Sequence, residues 1–142
     1  MVQEYKKLSH FSMKYESWNL KAMIVKANDD LRQEVLALQL MKRLKQIFEV
    51  EGHPIYLFPY EVFVTSSNSG LLEFVPDTIS IDGLKKKFPS KDWNLKTFFY
   101  KYFEDEIDDA RKCFVESLAG YSLFTYVFNV KDRHNGNILL DS

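Results

Sequence analysis

Near the carboxyl end, six consecutive positions hold an acid, a cation, a base and two amides: Asp132-Arg133-His134-Asn135-Gly136-Asn137, followed by the apolar run Ile138-Leu139-Leu140. Phosphoryl transfer asks for this combination: a group that accepts a hydroxyl proton, a cation near the phosphates, and an amide or carboxylate that holds Mg2+. A histidine titrates near neutrality, at about 6.5 when unperturbed. The Asp132 carboxylate can orient His134 and support its proton-accepting form. Asn137 offers a neutral oxygen suited to a hard cation. A plain polar turn is the competing reading, because Asn-Gly is a common turn dipeptide.

Two other places carry related chemistry. Lys26 ends an apolar segment, and Glu34 lies about one turn into the helix expected after it. A strand-end lysine with an acid on the following helix can set a cation against ATP phosphates. The simpler reading is a surface lysine and a solvated helix-face glutamate. Glu73-Phe74-Val75 closes a second apolar segment, where backbone groups could meet an adenine edge or simply continue a strand. His10 and His53 have no partners at metal-ligand spacing, and neither a Gly-x-x-x-x-Gly-Lys loop nor a Gly-x-Ser-x-Gly elbow occurs.

These residues need elements to place them. Leu20 to Lys26 reads as a strand, and 27–29 as a turn. Asp30 with Gln33 three positions on makes a capping box. Leu31, Val35, Leu38, Met41 and Phe48 then keep helical spacing to about Val50, where Gly52 and Pro54 stop the helix. Residues 55–64 favour a strand, with Pro59 marking an edge or a break. A loop over 65–70 and a strand over 71–75 complete a hairpin. Helices are expected over 80–87, 95–103 and 108–129, with a loop over 89–94 and Gly120 marking close packing. Residues 1–17 carry no clear period.

At 142 residues the chain can form one domain of ordinary size, and 46% hydrophobic content argues against disorder. A net charge of -1 gives no default expectation of a nucleic-acid face. Lys85-Lys86-Lys87 reads as a solvated helix end, with a phosphate or anionic-lipid contact as the lesser alternative. Cys113 is the sole cysteine, which rules out an internal disulfide and suits the cytosol. Its neighbours Phe114 and Val115 predict a buried, inert thiol. Met1 is not followed by the apolar core of a signal peptide. No apolar stretch reaches the ~20 residues of a membrane span, so any membrane contact is expected to be peripheral.

Taken together, these segments resemble the phosphatidylinositol 3- and 4-kinase superfamily. Ile24-Val25-Lys26 with Asp29-Asp30-Leu31-Arg32-Gln33-Glu34 looks like its lysine strand and first kinase helix. Ser69 to Val75 looks like the strand into its hinge, and Lys131 to Ile138 like its catalytic loop. The match is collinear from about Trp18 to Asp141. Glu34 and Lys131 point to the 4-kinase branch, because 3-kinases usually have Asp and Gly there. The middle, with Ala119-Gly120-Tyr121, is most similar to type III beta phosphatidylinositol 4-kinases.

The resemblance implies an α+β, protein-kinase-like fold. An N-lobe over 1–76 would have an antiparallel sheet and one large helix, and the start of a helical C-lobe over 77–142 would end at the catalytic loop. It implies ATP and Mg2+ as cofactors and membrane phosphatidylinositol as substrate, phosphorylated at its 4-hydroxyl. Lys26 would meet ATP phosphates, Glu34 would hold Lys26, and Tyr60 would line the adenine pocket. Glu73 and Val75 would bond adenine through their backbone. Asp132 and His134 would activate the hydroxyl, Arg133 would support the loop, and Asn137 would bind the metal. The implied location is the cytoplasm, peripheral on Golgi or other internal membranes, with regulatory proteins and the rest of a C-lobe as partners. A 3-kinase, a related protein kinase, or a non-catalytic nucleotide-binding or interaction module are the alternatives. The family's nucleotide-covering loop would fall near Ser9–Met13, which here has neither Gly nor Pro. The sequence ends before the family's Asp-Phe-Gly segment, so the chain alone is expected to be inactive.

Overall fold

The two apolar runs at the ends of 62–73 pair as a hairpin in the computed structural model, which describes residues 2–89 and 93–141. Ser90, Lys91 and Asp92 of the expected 89–94 loop lie outside the described residues. The chain divides into two compact units, Met1–Leu31 with Val62–Phe74, and Arg32–Glu61 with Val75–Ser142.

In the first unit, helices α1 (Val2–Leu8) and α2 (His10–Lys14) precede strand β1 (Met23–Ala27). Helices of seven and five residues are too short to display an apolar stripe, which is why residues 1–17 carry no periodic signal. Strands β2 (Val62–Ser66) and β3 (Ser69–Glu73) complete an antiparallel sheet in the order β1-β3-β2. Central β3 therefore buries Gly70 and Leu72. A Cβ on Gly70 would sit 2.5 Å from both the Phe63 carbonyl and Leu31 Cδ1, so only glycine fits there. The turn is tighter than the six-residue loop expected. Ser66 pairs with Ser69 after a register shift beyond Val64, and their hydroxyls lie 2.7 Å apart. The Asp29 N–H donates to the Asn68 carbonyl at 3.0 Å, tying the exit of β1 to this turn.

The second unit is built on helix packing. Helix α3 (Arg32–Val50) buries Leu38, Met41 and Phe48, the stripe that its spacing predicts. Met41 and Phe48 join Leu57 and Phe124 in one core cluster, with Leu40, Leu44, Ile55 and Val130 packed around it. The α3 terminus is a Schellman motif. His53 N–H donates to Phe48 O at 2.9 Å, Gly52 N–H to Glu49 O at 3.3 Å, and Gly52 takes a φ of 68°.

Residues 55–61 are not a strand, contrary to expectation. Their N–H groups bond to helix α6 (Ile107–Val127) instead: Tyr56 to Glu116 O at 3.3 Å, and Phe58 to the Tyr121 hydroxyl at 3.2 Å. Gly120 permits this approach, since a Cβ there would lie 2.6 Å from the Tyr56 carbonyl. Burial holds the Tyr121 phenol above its ordinary value; the Phe58 backbone bond opposes this, and the charge of Asp141 adds to it. Tyr56 is raised by the same burial, then by Asp141.

The remaining elements are strand β4 (Thr78–Ser80), helices α4 (Ile81–Lys87) and α5 (Leu95–Tyr102), a 3-10 turn (Glu104–Glu106) before α6, and strand β5 (Leu139–Asp141). Ser80 caps α4 by accepting from Gly83 N–H, and Asn94 caps α5 by accepting from Thr97 N–H. Cys113 is exposed, which corrects the expectation of a buried thiol; its face of α6 opens onto a groove rather than onto the core. Among the described residues, no helix is long and apolar enough to cross a membrane.

Candidate functional site

The polar loop starts where α6 stops, and that stop is sharply defined. Asn129 takes the left-handed conformation with a φ of 51°. Val130 N–H donates to Thr125 O at 2.9 Å and Asn129 N–H to Tyr126 O at 3.4 Å, a second Schellman motif. Val130 then packs on the core cluster, so the loop leaves from an anchored point. At the far end, β5 pairs antiparallel with β4, Leu139 opposite Ser80 and Asp141 opposite Thr78. Between these ends the first turn of α4 braces the backbone. Asp82 N–H donates to Asn135 O at 3.2 Å and Ile81 N–H to Ile138 O at 3.1 Å.

Inside this frame, Asp132, His134 and Asn137 come together. Asp132 has a φ of 59°, a left-handed conformation that aspartate tolerates better than most residues. The Asn137 amide nitrogen donates to the Asp132 carbonyl at 2.7 Å and to its carboxylate at 3.2 Å. With the nitrogen engaged, the amide oxygen of Asn137 is the atom left for a hard cation. The turn closes through Asn137 N–H donating to His134 O at 2.8 Å.

His134 is oriented from one side. Gly136 N–H donates to its Nδ1 at 3.0 Å, so the neutral ring carries its proton on Nε2. That nitrogen lies 3.9 Å from Asp132 Oδ1, an ion-pair distance when the ring is charged. In the neutral ring, the free base of the site is therefore the Asp132 carboxylate. Arg133 turns back locally, donating from Nε to Lys131 O at 3.1 Å. The side chains of Asp132 and His134 remain 78% and 63% exposed, so partners can reach them.

The other predicted residues are placed separately. Lys26 sits in the first unit on β1, half-buried, with its Nζ 3.1 Å from Asp29 Oδ2. Glu73 ends β3, opposite Met23 of β1. Glu34 lies in the first turn of α3 in the second unit. Val75 begins the later stretch of that unit, and its carbonyl accepts from the Thr78 hydroxyl at 3.1 Å. Tyr60 is half-buried beside Glu61, whose carboxylate pairs with Lys42 at 2.6 Å. Ser9–Met13, expected as a nucleotide-covering loop, is mostly helix α2 with Ser9 as its N-cap.

Residue types alone do not show two of the groups that position the site, Asn129 and the first turn of α4, and they offer Gly136 only as part of a turn that competes with the catalytic reading. Asn-Gly at 135–136 was the available signal for Gly136. A separate groove of about 840 Å3 lies in the second unit, walled by Phe88, Phe98, Phe99, Tyr102, Phe103 and Phe114. None of the predicted site residues lines it. Among the described residues, no cluster of three or more His, Cys, Asp or Glu could hold a metal.

Comparison with known proteins adds the context. Residues 21–142 match the model of the family described as phosphatidylinositol 3- and 4-kinase. Phosphatidylinositol 4-kinase beta 1 of Arabidopsis thaliana is 49% identical over 90% of the chain, which covers 12% of that relative. Phosphatidylinositol 4-kinase of Dictyostelium discoideum is 42% identical over 99% of the chain, again 12% of the relative. Phosphatidylinositol 4-kinase beta of Sorex araneus is 43% identical over 89%, with 16% of that protein covered. The chain thus spans a small part of the length of the curated relatives it matches.

Proposed function

The chain belongs to the phosphatidylinositol 3- and 4-kinase family, and on that premise we propose that it carries part of the active site of a phosphatidylinositol 4-kinase. The reaction is transfer of the ATP γ-phosphoryl group to the inositol 4-hydroxyl of phosphatidylinositol. The observation that carries this reading is the Asp132–His134–Asn137 arrangement, held by α4 and the β4–β5 pair.

Each residue has a part in this mechanism. The Asp132 carboxylate accepts the hydroxyl proton, and His134, whose Nε2 lies 3.9 Å from Asp132 Oδ1, supports the carboxylate through its ring N–H dipole. Asn137 would hold Mg2+, and the metal would supply neutralisation of phosphate charge when bound. Arg133 supports the loop through Lys131. Lys26 meets ATP phosphates. Tyr60 lines the adenine site, and the backbone of Glu73 and Val75 bonds the adenine edge. Catalysis comes from positioning and from charge stabilisation rather than covalent chemistry. The protein works at cytoplasmic faces of internal membranes as a peripheral enzyme.

The helical state of Ser9–Met13 favours a second reading, a nucleotide-binding or interaction module without turnover. One experiment separates the two. The protein carrying this chain is incubated with labelled ATP, Mg2+ and phosphatidylinositol, and the phosphorylated position is identified. The proposal expects the 4-phosphate, abolished by Lys26→Ala with the fold intact. A 3-phosphate or a phosphopeptide points to the other branches of the family. ATP binding without product supports the module.

A further inference from the structure

Asn135-Gly136 is the one Asn-Gly pair in the sequence. An asparagine followed by glycine is chemically labile. The next backbone nitrogen can attack the side-chain carbonyl carbon, and glycine puts no Cβ in the way. Folding normally restrains this by holding the side chain. Here the side chain is loose: Asn135 is exposed, and among the described residues its amide group has no hydrogen-bond partner. Asn68-Ser69 shows the contrast. Asn68 Oδ1 accepts from the Ser66 hydroxyl at 2.9 Å, and the Asn68 carbonyl accepts from Asp29 N–H at 3.0 Å.

The amide between Asn135 and Gly136 is polarised from both ends. Gly136 N–H donates to His134 Nδ1 at 3.0 Å, and the Asn135 carbonyl accepts from Asp82 N–H at 3.2 Å. A base on the nitrogen and a donor on the oxygen both favour the deprotonated amide, which is the nucleophile. The imidazole that takes the proton does not stand alone. Its Nε2 lies 3.9 Å from Asp132 Oδ1, so the imidazolium gains a counter-charge. The turn that sets these contacts closes with Asn137 N–H on His134 O at 2.8 Å, which makes Asn135 and Gly136 its central residues. The ring lies flush against the glycine: a Cβ on Gly136 would sit 3.1 Å from Nδ1 and 2.9 Å from Cε1.

We propose that the Asp132–His134 pair makes Asn135 a self-modification site, converting it to aspartate or isoaspartate as the protein ages. His134 Nδ1 takes the Gly136 amide proton, and the nitrogen forms a bond to Asn135 Cγ. The imidazolium returns that proton to the side-chain nitrogen, whose bond to Cγ breaks and which leaves as ammonia. Water then opens the cyclic imide at either carbonyl, so water is consumed and ammonia released with no oxidant or reductant. Both products place a new carboxylate in the turn. Isoaspartate also reroutes the chain through the former side chain, and the carbonyl that Asp82 held becomes a free carboxylate. The consequence for turnover rests on the phosphoryl-transfer reading: the added charge repels ATP phosphates, and activity declines with the modified fraction.

The modification can be followed without substrate. The full chain is stored at neutral pH, folded in buffer or unfolded in guanidinium chloride, and its peptides are weighed by mass spectrometry over days to weeks. Isoaspartate is measured by enzymatic methylation. The Asn135 peptide should gain the mass of an amide-to-acid exchange, faster in the folded chain than in denaturant and faster than the Asn68 peptide. His134→Gln keeps a hydrogen-bond acceptor but no base, and should slow the folded rate by at least about tenfold. His134→Ala should act in the same direction, with circular dichroism showing both variants folded. An Asn135 that stays unmodified, slower conversion in the folded chain than in denaturant, or wild-type rates in both His134 variants would overturn the proposal. Conversion of Asn135 in a protein that, freshly made, does not phosphorylate phosphatidylinositol would remove only the kinase reading. Phosphorylation by a protein whose Asn135 stays intact on storage would remove only the self-modification.

Discussion

The polar loop and the aromatic groove belong to the same unit but are held in different ways. Asp132, His134 and Asn137 are exposed, yet their backbone is fixed at both ends, by the left-handed Asn129 and by the β4–β5 pair. The groove has the reverse arrangement. Its walls are rings in contact, such as Phe98 on Tyr102 at 5.2 Å and Phe99 on Phe114 at 5.3 Å. The contrast separates two tasks. Backbone hydrogen bonds can position side chains that must stay open to substrate, whereas side-chain volume builds enclosure. Substitutions in the loop should therefore cost activity, and substitutions in the interior should cost stability.

The sharpest stability test is Phe124, 3% exposed in the core cluster from which the loop departs. Phe124→Ala should lower the unfolding free energy by about 3–5 kcal/mol, read from urea midpoints; a loss under about 1 kcal/mol would break the contrast. Gly120→Ala comes next. Its new Cβ meets the Tyr56 carbonyl, which is backbone and cannot swing aside, so about 1–3 kcal/mol should be lost.

Asn129 probes the loop's entry rather than its chemistry. Asn129→Ala should cost about 1–2 kcal/mol in thermal melts, because alanine resists a positive φ. Asn129→Gly should be nearly neutral, since glycine accepts that conformation freely. If both variants melt alike, the left-handed turn does not set the anchor. The smallest effect concerns pH. Burial raises the Tyr121 phenol above 10.0, so the folded state favours the neutral hydroxyl. The stability this provides is complete below the unfolded value and is lost as pH rises through the folded one. Tyr121→Phe should flatten that alkaline decline in melts recorded above pH 10.

Much of this contrast was legible in the sequence, and the missing parts share a cause. Residue types alone brought Asp132, His134 and Asn137 forward, and spacing placed α3, α5 and α6 within a residue or two. Strand β4 was missed because Thr78-Ile79-Ser80 is a strand only through its partner β5, far along the chain. Residues 55–61 read as a strand because β-branched and aromatic residues fit both a sheet and a packed irregular segment, and only the donors on Tyr56 and Phe58 reveal which. Cys113 looked buried from its apolar neighbours, yet on α6 consecutive residues face different ways. Side-chain chemistry is written locally, while the bonds that hold it in place are set by distant backbone.

The most direct test pairs two readings on one variant, Asn137→Ala, in the protein carrying this chain. The Asn137 side chain is exposed and, among the described residues, its bonds run to Asp132, so the melting temperature should stay within about 2 °C of wild type. Phosphorylation of phosphatidylinositol should fall by at least about a hundredfold. Turnover near wild type, or a loss of activity that merely tracks a falling melting temperature, would contradict the assignment of this loop to phosphoryl transfer.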